Sequence, residues 1–199
     1  MKIQGKNVTP GHGLLEKFLA QKRAEMANKL IPEKARNGRI LDIGCGTIPF
    51  FLLNTKFTEK YGIDPTVNAS NYSGIRVANF DIEEDTTLPF QDNFFDVVTM
   101  LAVFEHIEQD KLPGTLKEIK RVLKPGGSFV MTTPCPWSDK LLRLMAKLGL
   151  VSKVGIDEHK GAYGHQSIIS YLEKVGFQKN NIKAGYFEFY LNSWTCARK

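Results

Sequence analysis

Ile40-Leu41-Asp42-Ile43-Gly44-Cys45-Gly46-Thr47 is the stretch whose reading decides the fold. Its first four residues make a short apolar run of the kind that forms a buried strand, and Gly44 and Gly46 end it. Glycine reaches backbone angles closed to other residues and lets a ligand or a second segment approach the main chain. The apolar residues from Ile48 to Leu53 then open a helix. Strand, glycine turn and helix, in that order, begin a nucleotide-binding unit. Alone, a two-glycine turn is equally a tight connection.

The sequence on either side repeats the alternation. Upstream, residues 14–31 place Leu14, Leu15, Phe18, Leu19, Met26 and Leu30 near a 3.6-residue period, an amphipathic helix that Pro32 and the Asn37-Gly38 pair terminate. Downstream, Glu59 to Asp64 reads as a second strand stopped by Pro65, and Ile75 to Phe80 as a third ending at Asp81. Phe94 to Leu101 is the strongest strand, followed by a helix from Gly114 to Leu123. Lys124-Pro125-Gly126-Gly127 stops that helix before the strand Ser128 to Thr132. An amphipathic segment from Lys140 to Leu148 and a polar loop from Gly155 to His165 precede a helix from Gln166 to Val175. Two strands, Ile182–Phe189 and Leu191–Ala197, close the chain. Alternating helices and apolar strands imply an α/β fold whose mostly parallel sheet is covered on both faces.

Composition fits one domain. The chain has 199 residues, 42% hydrophobic and 24% charged, enough to bury a core without staples and too apolar for long disorder. Cys45, Cys135 and Cys196 form no CxxC pair and no metal-ligand spacing, which points to a reduced, cytoplasmic setting. The first residues lack the apolar core of a secretory signal, and no apolar run approaches the roughly 18 residues of a membrane span. The net charge of +6 is spread over single and paired lysines, so it reads as a solvated surface and nucleic acid is not expected as a partner.

Asp64 lies at the end of the second strand, where a carboxylate can accept hydrogen bonds from both hydroxyls of a ribose. It is otherwise a turn aspartate. Asp42 ahead of the glycines and Asp81 after the third strand add two further carboxylates at strand ends.

Together these segments resemble the class I S-adenosylmethionine-dependent methyltransferases, in the group with the compact methyltransferase domain. The resemblance runs from about residue 39 to 133. Its carriers are Leu41 to Thr47, Tyr61-Gly62-Ile63-Asp64, Asp81 in Asn79 to Glu83, Leu88-Pro89-Phe90 with Phe94 to Val98, and Leu123-Lys124-Pro125-Gly126-Gly127. It implies a Rossmann-like three-layer sandwich with a seven-stranded, mostly parallel sheet and an antiparallel closing strand. Residues 1–38 would form an N-terminal helical segment, 39–133 the cofactor-binding core, 134–165 an acceptor-site lid region, and 166–199 the closing helix and strands. S-Adenosylmethionine is the implied cofactor and S-adenosylhomocysteine the product. Asp42, Gly44 and Gly46 would line its methionine end, Asp64 would hold its ribose, and Asp81 with Ile82 would meet its adenine, with Cys45 and Pro65 as further cofactor-binding candidates. Leu101 would lie near the reactive centre. The family often has a third glycine where this chain has Ile48, whose side chain either crowds the cofactor or packs beneath it. The same departure disfavours a dinucleotide oxidoreductase, because the last position of G-x-G-x-x-G is Pro49.

Since the sulfonium is already electrophilic, methyl transfer needs an acceptor held in line and water kept out. A histidine would serve if a general base is required. His106, after the fourth strand, is one candidate, or a part of the pocket architecture. His165 and His159, flanking the loop from Lys160 to Gly164, are others. His12 is a remote one. No metal is expected. Trp137 with Leu141, Leu144, Met145 and Leu148 is either an apolar lid or core packing. The expected activity is methyl transfer to a small-molecule or saccharide-type acceptor. The alternatives are an RNA or protein methyltransferase, or a non-catalytic cofactor-binding protein of the same fold.

Overall fold

The computed structural model describes residues 16–67, 72–85, 87–138 and 160–199. Seven strands, β1 (Arg39–Ile43), β2 (Glu59–Asp64), β3 (Ile75–Asn79), β4 (Phe95–Leu101), β5 (Leu123–Pro134), β6 (Ile182–Phe187) and β7 (Asn192–Arg198), form one sheet in the order β3-β2-β1-β4-β5-β7-β6. β7 is antiparallel to both neighbours and the other six strands share one direction. This is the architecture that the resemblance implies.

Alternation along the buried strands supplies two cores. On one face Leu41, Ile43, Val98, Met100, Phe129 and Met131 pack under α3 (Leu112–Val122) and α4 (His165–Lys174). The buried side of α3 is Leu112, Leu116 and Ile119, at four- and three-residue steps, so one helical stripe meets the sheet. On the other face Ile40, Val97 and Val130 meet α1 (Glu16–Leu30), which presents the buried, small Ala24 and Ala27 and lies over β4 and β5.

Several boundaries differ from the sequence reading. The helix expected from Ile48 shrinks to α2 (Phe50–Leu53), where the Asn54 amide and side chain both fold back on carbonyls of Phe50 and Phe51. β5 begins at Leu123 rather than Ser128, because Lys124-Pro125-Gly126-Gly127 is an irregularity inside the strand, opposite a register shift at Phe95/Val97. Gly126 has φ +77, and a Cβ on Gly127 would stand 2.9 Å from the Lys124 carbonyl oxygen. Glycine thus permits a bulge where the sequence suggests a stop. The third strand ends at Asn79, short of Asp81. His12, His159, the Lys140–Leu148 segment and most of the loop before His165 lie outside the described residues.

Candidate functional site

The chain winds from β1 through β2 to β3, then crosses back to place β4 on the other side of β1. This is a topological switch point, and ligands of open parallel sheets sit outside the carboxyl ends of the strands there. Asp42, Gly44 to Thr47, Asp64 and Leu101 all lie on this edge.

The β1 turn is made by Gly44 (φ +72) and Gly46 (φ +74), with the Gly44 and Cys45 amides donating to the Ile63 carbonyl at 2.8 and 3.2 Å. A Cβ on Gly44 would stand 2.2 Å from a Val103 methyl, so this glycine is required by the chain leaving β4. Asp64 receives the Gly46 amide at 2.8 Å, the Thr66 amide at 2.8 Å and the Thr66 hydroxyl at 2.5 Å. The Tyr72 hydroxyl, just ahead of β3, donates to the Thr47 carbonyl at 2.9 Å and ties the β1 turn to the start of β3.

Asp42 is 3% exposed and accepts the Thr99 hydroxyl of β4 at 2.6 Å. Burial, with the Asp64 charge adding to it and the Thr99 bond opposing, pushes its carboxyl up to about 7. The Cys45 thiol is also pushed up, by burial and then by the charges of Asp42 and Asp64. Its sulfur lies where a Cβ on Gly62 would be, at 2.8 Å, so the Cys45 side chain packs beneath the turn. Ile48 is half-buried and belongs to neither core cluster of the described residues.

Past Leu101, which is partly buried, the chain turns through Ala102 at φ +56 into Phe104–His106. A left-handed alanine costs on the order of 1 kcal/mol, and such strain persists where the surroundings over-determine it. Glu105 is buried and accepts the Thr133 hydroxyl at 3.0 Å, while His106 is half-buried. On the β3 side, Asp81 accepts the Glu83 amide at 2.8 Å, Ile82 packs on the core, and Pro65 is exposed.

The two catalytic candidates are carried by different elements, His106 by the turn after β4 and His165 by the start of α4. His165 opens α4, its ring nitrogen 3.1 Å from the Gly185 carbonyl oxygen and its ring 4.3 Å from that of Tyr186. It sits at β6, three strand spacings or about 14 Å from β4.

The sequence reading missed Thr99, the partner of Asp42, and a clasp around Lys160. Lys160 pairs with Glu83 at 2.7 Å and Glu108 at 3.3 Å, and Glu83 also takes the Glu108 amide. Burial alone would raise the Glu83 carboxyl, but Lys160 and that amide outweigh it and hold it low. The Lys160 and Gly161 amides bond the Glu105 carbonyl, joining the chain before α4 to the turn after β4. Nothing in local spacing marks this cluster. Among the described residues no group of His, Cys, Asp and Glu could hold a metal ion, and no helix is long and apolar enough to cross a membrane.

The chemical character of the edge is a negative one. Two carboxylates close enough for one to raise the other face a glycine turn, an arrangement that a cationic ligand relieves. A family model described as a methyltransferase domain matches residues 13–181. The sterol 4-C-methyltransferase of Caenorhabditis elegans is 32% identical over 126 residues, covering 59% of this chain and 36% of that protein. Phosphoethanolamine N-methyltransferase 1 of Zea mays is 29% identical over 176 residues, 84% of this chain and 33% of that one. The chain thus spans about a third of the length of these relatives. Among solved structures, an S-adenosylmethionine dependent methyltransferase from Mesorhizobium loti superposes with a TM-score of 0.65 at 19% identity, covering 91% of this chain and all of that one.

Proposed function

The chain belongs to the methyltransferase-domain family, and on that premise we propose that it transfers the methyl group of S-adenosylmethionine to a small-molecule or saccharide-type acceptor. The observation that carries this reading is the Asp42/Asp64 pair beside the Gly44–Gly46 turn, at the switch point of the sheet. The cofactor brings an activated methyl on a positively charged sulfur together with an ammonium group, and both charges suit an edge with a surplus of carboxylate.

Each residue then has a task. Asp64 orients the Gly46 amide and shares its other oxygen between Thr66 and the ribose hydroxyls. Asp42 and the main chain of Gly44, Cys45 and Gly46 face the methionine end, and Asp81 with Ile82 and Pro65 border the adenosine. Leu101 lines the methyl side, and the strained Ala102 turns the chain there. His106, next in the same turn, is placed to accept a proton or to wall the pocket. His165, held on β6, is a rim residue. The relatives act, by name, on a sterol carbon and on phosphoethanolamine nitrogen.

Calorimetric titration of the whole chain with S-adenosylmethionine and S-adenosylhomocysteine tests the reading. Both bind, and Asp64→Ala weakens each by at least about tenfold. A folded chain that takes up neither ligand overturns it.

A further inference from the structure

Strands β3 and β4 stand three positions apart in the sheet, about 14 Å, with β2 and β1 between them. The turns that follow them nevertheless meet. Glu83, past the end of β3 at Asn79, accepts the Glu108 amide at 2.7 Å on one carboxylate oxygen and the Lys160 ammonium at 2.7 Å on the other. Both donors belong to the β4 side. Glu108 follows the turn after β4, and Lys160 is fixed to that turn by its own main chain. The Lys160 and Gly161 amides donate to the Glu105 carbonyl at 2.8 and 3.2 Å, and the buried Tyr163 packs its ring 4.9 Å from that of Phe104. The Lys160 side chain, which also reaches the Glu108 carboxylate at 3.3 Å, is therefore what extends from the β4 side to the β3 turn. Ile82, Phe104 and Tyr163 all pack in the core under α3 and α4, so the bridge spans the β2 and β1 columns on that side.

What the bridge joins gives it a role. Asp81 and Ile82, assigned above to the adenosine, come just before Glu83. Leu101 and His106, assigned to the methyl side, come before Glu108. The sheet has no need of this link, because β3 is held by its ladder to β2, and β4 by ladders to β1 and β5. The charged side chains are partly open to water, Lys160 at 35%, Glu83 at 22% and Glu108 at 51%, so their attraction is modest and screened by salt. A weak bridge between two borders of one ligand site is one that the ligand itself can strengthen.

We propose that Glu83 and Lys160 are positioning residues for the methyl donor: their ion pair sets the separation of the adenosine border from the methyl border and tightens as the donor binds. The inference rests on the reading of the site given above. Such coupling is reciprocal, so the bound ligand steadies the bridge by the same factor that the bridge adds to the ligand's affinity. Without the Lys160 ammonium, the Glu83 and Glu108 carboxylates that it holds remain as like charges on facing segments and push the borders apart.

The test is titration of the whole chain with S-adenosylhomocysteine at about 10 mM and about 1 M sodium chloride. This ligand has no net charge, so salt acts chiefly on the bridge. The proteins compared are the unmodified chain, Lys160→Met, Lys160→Arg, Glu83→Gln and the double variant of Lys160→Met with Glu83→Gln. At low salt Lys160→Met weakens binding about fivefold, the upper range for a pair of this exposure, and Lys160→Arg keeps it within about twofold. The double variant binds no more weakly than the poorer single one, because both changes remove one interaction. At high salt the unmodified chain and Lys160→Met agree to within about twofold. Hydrogen exchange of the Glu108 amide slows about fivefold more on ligand binding in the unmodified chain than in Lys160→Met. A bridge that only braced the fold would lower the melting temperature of the variants and leave the affinity of the folded protein unchanged. That result overturns the proposal, and so does a loss of affinity that persists at high salt. If the unmodified chain binds no S-adenosylhomocysteine, the methyl-donor reading falls and this proposal with it; equal binding by the unmodified chain and Lys160→Met removes this proposal alone.

Discussion

At the edge where the parallel strands begin, charged groups end on partners. Asp96 takes the Arg39 amide at 2.8 Å and the Lys124 ammonium at 2.7 Å. Lys199 caps the Leu123 carbonyl at 2.6 Å, Arg121 joins Glu118, Asp92 and the carbonyls of Leu88 and Phe90, and Arg36 ties Glu33 to Asn28 and Thr55. At the edge where the same strands end, Asp42 is buried with its carboxyl raised, Ala102 and residues 188–190 are left-handed, and Arg23, Thr132 and Glu188 have unpaired atoms. Among the described residues, four of the six exposed large hydrophobics, Trp137, Tyr186, Phe189 and Tyr190, lie on that edge. The difference teaches that a satisfied edge holds the sheet together well enough for the opposite edge to keep strain and unmet bonding capacity.

The widest test of this contrast is pH. Asp42 has a folded carboxyl near 7 against an ordinary 3.8, so its contribution to stability is fully present below the unfolded value and is lost as pH rises through about 7; the full loss is at most about 4 kcal/mol. Asp42→Asn removes this dependence. Urea unfolding of the two proteins should show the variant's relative advantage growing from about pH 5 to about pH 8. Affinity for S-adenosylmethionine should rise over the same range in the unmodified chain, since the ionised carboxylate favours a cation; a flat profile in both measurements breaks the contrast.

Next in size is Gly44→Ala. A methyl group 2.2 Å from Val103 at a left-handed φ should cost roughly 3 kcal/mol and abolish cofactor binding together with stability. Asp96→Ala should cost about 2 kcal/mol in the same unfolding assay by freeing the Arg39 amide and Lys124, while cofactor affinity of the folded fraction is unchanged. Loss of cofactor affinity in Asp96→Ala would erase the division between the edges. The smallest effect has the opposite sign. Phe189 is 95% exposed at φ 55, so Phe189→Gly gives up almost no packing and should raise stability by about 1 kcal/mol.

The sequence by itself determined the parts that depend on near neighbours. Strand β1, its glycine turn, the carboxylates at the ends of β1 and β2 and the alternation of helix and strand are written in periods of two and 3.6 and in the backbone freedom of glycine, all of which act over a few residues. Even there, Lys124 to Gly127 misled, since a glycine pair serves a stop and a bulge equally. The tertiary structure alone decided which distant residues meet. The Asp42–Thr99 bond follows from β1 pairing with β4, and the Lys160 clasp from the chain returning to the turn after β4. The position of His165 on β6 belongs to the same class. Strand order and register are set by the summed burial of whole faces, a quantity that no single stretch of sequence contains.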